Sequence, residues 1–204
     1  MKANYSLDMQ KQITVLEGRP SLLLHSCCAP CSSAALERLC PHFDVTILYY
    51  NPNIQPEAEF FKRLLWQKKL LELLALPVRL LEAPYRGEDF QKAAAGLEGE
   101  PEGGARCTAC FSLRLEETAK TAQELGFDYF CTTLSVSPHK DAARINVLGA
   151  AMGARYGVRW LCSDFKKSGG YARSIALSRE LGLYRQKTCG CVYSKNNSQQ
   201  ETIL

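Results

Sequence analysis

The stretch Ser21-Leu22-Leu23-Leu24-His25-Ser26-Cys27-Cys28-Ala29-Pro30-Cys31-Ser32-Ser33 decides the fold. Its apolar run reads as a buried strand over Ser21–His25. Pro30 stands where a helix begins, and Leu36 and Leu39 carry the helical pattern onward to about residue 39. Three cysteines therefore lie on the turn from the carboxyl end of a strand into a helix. In open α/β sheets that crevice is where ligands bind. A helix N-terminus also stabilises thiolate, the form that binds metal or attacks a substrate.

Outward from this turn, the pattern alternates. Strands are expected at 44–50, 77–81, 128–132 and 159–162. Helices are expected at 56–75, 88–95, 107–125, 138–156 and 171–181, with a weaker one within 4–18. In the helix over 56–75, Phe60, Leu64, Leu71 and Leu74 form the apolar stripe, and Lys62, Arg63, Lys68 and Lys69 the wet side. Ser137 reads as a cap, with Pro138 in the first turn of its helix. The glycine-rich Glu98–Gly104 is the best candidate for a mobile segment or lid. Alternating strands and helices specify a Rossmann-like α/β fold, a parallel sheet with helices on both faces. No repeat or boundary divides the chain, so a single domain over 1–204 is expected.

A hydrophobic content of 46% and a charged content of 23% are those of a globular protein. No apolar run approaches the roughly 18 residues needed to span a bilayer. The first 18 residues carry no signal-peptide core, so a cytoplasmic protein is expected. In a reducing compartment the ten cysteines are not a disulfide framework. They cluster as Cys27/Cys28/Cys31, Cys107/Cys110 and Cys189/Cys191, whereas Cys40, Cys131 and Cys162 stand alone and read as core thiols.

The C-x-x-C of Cys107 and Cys110, together with Cys27 and Cys28, supplies four thiolates. That set suits structural zinc or an iron–sulfur cluster. A closed zinc site has no reason to occupy the mouth of a sheet, which favours the cluster. Cys189-Gly190-Cys191 holds two thiols close enough to ligate a metal or to cycle between dithiol and disulfide. His25 precedes the cysteine turn and, as a lone histidine, reads as structural. Asp164 falls on the crevice rim, a metal ligand or proton donor, and Lys166 and Lys167 beside it suit phosphate. Neither a G-x-G-x-x-G nor a G-x-x-x-x-G-K-[ST] loop is present, which argues against a nicotinamide or P-loop enzyme. Charge is uneven: residues 138–195 hold 11 Lys and Arg against 3 Asp and Glu, a net of +8 in a chain whose total is +4. A basic C-terminal part suits a polyanionic partner.

Six stretches recur together in one family. They are His25–Cys31, Tyr50–Ile54, Arg106–Cys110, Thr132–Pro138, Asp164–Lys167 and Tyr184–Ser194. Over residues 20–195 the chain resembles the QueH family, the cobalamin-independent epoxyqueuosine reductases. The resemblance implies a nucleotide α-hydrolase-like fold and the last step of queuosine synthesis, reduction of epoxyqueuosine at the wobble position of a tRNA anticodon. It implies a [4Fe-4S] cluster on Cys27, Cys28, Cys107 and Cys110, and a redox pair in Cys189 and Cys191. It also implies a second, mononuclear metal, an iron, with Cys31 or Asp164 assisting. The reaction needs a proton donor, for which Asp164 and Tyr171 are the candidates, and an external electron donor. The basic segment would carry the contacts to the tRNA anticodon stem-loop, and Tyr171 or Tyr184 would stack on splayed bases. No membrane partner is expected. The competing readings are an RNA-binding protein with structural zinc and a thiol–disulfide oxidoreductase using Cys107 and Cys110.

Overall fold

The computed structural model describes residues 3–194. Lys195, the last residue of the basic segment, and the polar tail after it lie outside the described residues.

Five strands, β1 (Ser21–His25), β2 (Asp44–Tyr49), β3 (Arg79–Glu82), β4 (Tyr129–Thr132) and β5 (Arg159–Trp160), form one all-parallel sheet in the order β3-β2-β1-β4-β5. The central strand is β1. Its Leu22, Leu23 and Leu24 are fully buried, as a strand covered on both faces must be. Leu24 lies in register with Ile47 on one side and Cys131 on the other. Strand order reverses between β1 and β4, so the crevice at their carboxyl ends is the switch point of the sheet. The cysteine turn is there.

The helices are α1 (Tyr5–Thr14), α2 (Ala29–Leu39), α3 (Glu57–Leu74), α4 (Gly87–Ala94), α5 (Ala105–Glu124), α6 (Ala142–Tyr156) and α7 (Gly170–Glu180). Helix α2 packs on α3 and α7, and α5 packs on α4 and α6. Helix α1 covers the sheet edge at β5: Gln12 Nε2 donates to the Trp160 carbonyl at 3.2 Å, and its Oε1 accepts the Cys162 N–H at 2.9 Å. Gly149 of α6 lies so near Trp160 that a Cβ there would meet the indole at 2.3 Å. No described helix is long and apolar enough to cross a membrane.

Three local expectations are corrected. Helix α6 starts at Ala142 rather than Pro138, because Asp141, not Ser137, is the cap: its Oδ1 accepts the N–H groups of Ala143 (2.9 Å) and Arg144 (3.2 Å). Residues Thr133–Val136 instead form a 3-10 turn, and 137–140 a loop that carries Lys140 to the sheet mouth. Arg63 is not on the wet side of α3 but 3% exposed, bound to Glu59 at 2.7 Å. The segment 98–104 is a tied wall. The Arg106 guanidinium donates to the carbonyls of Leu97 (3.3 Å), Glu98 (2.9 Å) and Glu100, and Arg144 binds the Gly103 carbonyl.

Candidate metal and redox centre

Cys28 is the N-cap of α2, with extended backbone, and Pro30 follows in the first turn. This turns three thiols into one cluster: the sulfurs of Cys27, Cys28 and Cys31 all lie within 4.8 Å of one another. Cys27 is pinned to the end of β4. Its N–H donates to Thr133 Oγ1 at 3.1 Å, and that hydroxyl donates to Cys27 Sγ at 3.3 Å. Neighbouring S–H donors, Cys28 first and then Cys31, pull the Cys27 thiol well below its usual range. The contact with Cys27, reversed, pushes Cys28 up to about 11, and contacts with Cys27 and then Cys28 raise Cys31 as well. Three thiols this close share one anion until a cation joins them.

The cluster opens into a cavity of about 470 Å³, within the range of small-molecule sites. Tyr171, Lys140, Arg185 and Lys187 form part of its wall. A smaller adjoining cavity, of about 90 Å³, is lined by Cys107, Cys110, Cys189 and Cys191. Arg114, Lys140 and Cys189 border both. Thus the fold brings all seven grouped cysteines to one mouth, in two chambers. Cys107 Sγ accepts the Gly103 N–H at 3.2 Å.

The C-x-C turn is held from outside. Arg63 Nη1 (3.2 Å) and Asn53 Nδ2 (3.3 Å) donate to the Cys189 carbonyl, and the Gln55 N–H donates to the Gly190 carbonyl at 2.9 Å. Gly190 has φ +100°, and a Cβ there would sit 3.1 Å from Arg63 Nη1 and Ile54. The two sulfurs are 3.5 Å apart. Cys189 is lowered by the Cys191 S–H and then, against burial, by Ser194; Cys191 is raised in consequence.

Cations balance these thiols. Arg114 is 2% exposed, and no ion pair among the described residues includes it. Its Nη2 donates to Asn51 Oδ1 at 2.6 Å, Nε lies 3.3 Å from His25 Nε2, and Nη1 is 4.0 Å from Cys110 Sγ. A buried guanidinium without a carboxylate demands negative charge from another source. Burial alone would lower Lys140, but the Cys27, Cys31 and Cys189 thiolates outweigh it and raise the ammonium. The residues present therefore fit an anionic thiolate–metal assembly. Sequence reasoning missed Arg114 and Arg63 beside the thiols, and counted Lys140 only as part of the basic segment. The available signal was spacing: Arg114 falls one helical turn after Cys110.

His25 is fully buried, with Nδ1 2.7 Å from Thr132 Oγ1, and burial holds its pKa down to about 3; it is a neutral structural group. Cys131 is fully buried, a core thiol. Tyr171 reaches the main cavity, but Asp164 borders neither chamber. The Asp164 carboxylate holds Lys166 Nζ at 2.8 Å, and that ammonium reaches the Lys140 carbonyl at 3.4 Å. Lys166 is thus paired within its own loop rather than standing as a free cation. Much of the basic segment is likewise spent elsewhere: Arg155 on Glu116, Arg159 on Asp128, Arg173 on Glu37.

A sequence model of the family described as epoxyqueuosine reductase QueH matches residues 22–197. The epoxyqueuosine reductase QueH of Streptococcus pyogenes serotype M1 is 44% identical over 200 residues, covering 95% of this chain and 78% of that protein. The Thermotoga maritima protein of the same name is 38% identical over 177 residues, covering 85% of this chain and 90% of the relative. Among solved structures, the U34-tRNA thiolase NcsA from Methanococcus maripaludis, with its [4Fe-4S] cluster, matches with a TM-score of 0.57 and 14% identity. The match covers 93% of this chain and 67% of that one, and it speaks to the fold, the nucleotide α-hydrolase-like sheet. With a family model matched over residues 22–197 and relatives 38–44% identical over most of both chains, the chain belongs to the epoxyqueuosine reductase QueH family.

Proposed function

We propose that the chain, acting as a single α/β domain, reduces epoxyqueuosine to queuosine at the wobble position of a tRNA anticodon. The observation that carries this reading is the meeting of seven cysteines and two cations, Arg114 and Lys140, in adjoining chambers at the switch point of the sheet. Cys27, Cys28, Cys107 and Cys110 would hold a [4Fe-4S] cluster, and Cys31 would help hold a second, mononuclear iron. The soft thiolate donors suit both, and the buried Arg114 supplies compensating charge. Bound there, such a group passes electrons singly and offers a Lewis-acidic site for oxygen.

The remaining work belongs to the chain. Epoxide to alkene consumes two electrons and two protons and releases water. Cys189 and Cys191, on closing a disulfide, give up two electrons and two protons; an external donor must restore the dithiol. Asn53 and Arg63 keep Cys189 facing both chambers. Tyr171 stands on the cavity wall as the candidate proton donor. Asp164, expected in that role, positions Lys166 and through it the 137–140 loop. Arg185 and Lys187 on the same wall suit the phosphates beside the modified base. A reducing, cytoplasmic setting suits ten free thiols.

The test is anaerobic purification, an absorption spectrum, iron and zinc analysis, and then turnover on epoxyqueuosine tRNA. A brown protein with about four or five irons per chain and queuosine as product is the expected result. A colourless protein with zinc, no iron and no turnover overturns it.

A further inference from the structure

A second groove, of about 400 Å³, runs beside the main cavity. The two share Arg63, Gln186, Lys187 and Thr188 as a common wall, so the groove continues from the cavity mouth. Its wall carries Lys62, Tyr184 and Lys187, and Trp66 and Lys69 continue the pattern on α3 beside it, outside the groove lining. Lys62 Nζ lies 4.0 Å over the Tyr184 ring. The Trp66 ring is 6.4 Å from Tyr184 and tilted by 32°, and Lys69 Nζ lies 4.9 Å over Trp66. Residues 62, 66 and 69 fall on one face of α3 by helical spacing. Lys62, Lys69 and Lys187 are exposed, while both rings are half-buried and so held in place. The one carboxylate lining the groove is Glu59. It is occupied by Arg63 (2.7 Å) and by the Tyr184 hydroxyl (3.1 Å).

We propose that this groove is the track for the RNA strand that flanks the modified base. The proposal rests on the tRNA reading above. Single strands are held by a positive groove that follows the phosphates and by aromatic rings on which bases stack, and both are present here. The Tyr184 ring in the groove and the Trp66 ring beside it favour an RNA, whose bases stack on aromatic faces, over a peptide of Asp and Glu, which carries no aromatic face to stack on them. Lys187, on the shared wall, takes the phosphate at the point where the strand passes from track to cavity. The track is also joined to the redox turn: Tyr184 Oη, Glu59, Arg63 and the Cys189 carbonyl form one hydrogen-bonded chain, at 3.1, 2.7 and 3.2 Å. The basic C-terminal segment therefore supplies only one side of the RNA surface, and α3 the other.

The experiment measures binding of an anticodon stem-loop RNA carrying epoxyqueuosine to the anaerobically prepared protein across a salt series. The variants are Lys62→Glu/Lys187→Glu and Trp66→Leu. Lys120→Glu, a like charge change far along α5, is the control. The lysine pair should lower the salt slope by about 1.4, at about 0.7 per phosphate contact in a single strand. Trp66→Leu should weaken binding about 5- to 100-fold with the slope unchanged, as for the loss of one stacked base. Trp66 packs partly on the core, so its melting curve is recorded as well, and the exposed lysines keep the test independent of folding. Wild-type affinity and slope in both variants would overturn the track. Failure of the wild-type protein to bind the stem-loop would overturn the RNA reading itself.

Discussion

Replacing Arg114 by methionine should weaken the cluster-loaded protein far more than the metal-free one. The guanidinium is buried, lacks a carboxylate partner among the described residues, and lies 4.0 Å from Cys110 Sγ. At an effective dielectric constant of about 20, a positive charge at that distance from a thiolate is worth about 4 kcal/mol. In the metal-free chain Cys110 is held neutral, since burial raises its pKa above the usual thiol value. There the guanidinium faces the low-pKa Cys27 thiol, which can take up a proton once the cation is gone, so exchanging the buried charge for an apolar side chain is neutral or a gain of up to about 4 kcal/mol. It also strips Asn51 Oδ1 of its donor, a loss of about 1–3 kcal/mol, so the net change is near zero. With the thiolates bound to metal, the attraction is lost as well. The difference between the two states is then about 4 kcal/mol, or about a thousand-fold in cluster retention. Chelator competition on the loaded protein and denaturant unfolding of the metal-free protein measure the two halves. Equal destabilisation of both forms would make Arg114 a packing residue. Unchanged chelator resistance would remove it from the site altogether.

Gly190→Ala forces a side chain into a backbone with φ +100° and against Arg63 Nη1 at 3.1 Å. It should cost about 1–3 kcal/mol in stability and slow dithiol–disulfide cycling of Cys189 and Cys191, read by a thiol reagent; unaltered thiol kinetics would mean the turn does not depend on this conformation. Asp128 accepts the Ser21 hydroxyl (2.8 Å) and N–H (2.9 Å) and pairs with Arg159, and these contacts, the Ser21 hydroxyl first, hold its carboxyl below the ordinary carboxylate range. Its folded pKa is depressed, so its contribution is present at neutral pH and is lost as pH falls through about 3.9, the unfolded value, and below. The group is half exposed, so the contribution is about 1 kcal/mol or less. Asp128→Asn should flatten the stability–pH curve of the metal-free protein in that window, and an unchanged slope would count against the strap between β1 and β4.

Most of the architecture is written in local pattern. The run Leu22–Leu24 is apolar on every residue because both faces of β1 are covered, and that periodicity is visible without any structure. The cysteine turn could be placed at a strand end because strand and helix signals abut there. Grouped thiols likewise announce metal or redox chemistry by spacing alone. Other features were illegible for a physical reason: a charged residue in a helical pattern reads as solvated wherever its neighbours in sequence permit. Arg63 read so, and Arg114 drew no reading at all, yet the fold buries both, one against Glu59 and the Cys189 carbonyl, the other beside Cys110. Net charge could not say which cations are paired: Arg155, Arg159 and Arg173 face carboxylates contributed by other elements, whereas Arg185 and Lys187 line the main cavity. The sequence by itself determined the alternating elements, the thiol groups and their place at a strand end. Only the tertiary structure decided that Cys189 borders both chambers, that Asp164 pairs with Lys166 outside the lining of either, and that α3 offers a basic, aromatic face beside the cavity. Those arrangements depend on contacts between residues distant in sequence, 136 apart for Asn53 with Cys189 and 26 apart for Lys166 with Lys140, which no local periodicity encodes.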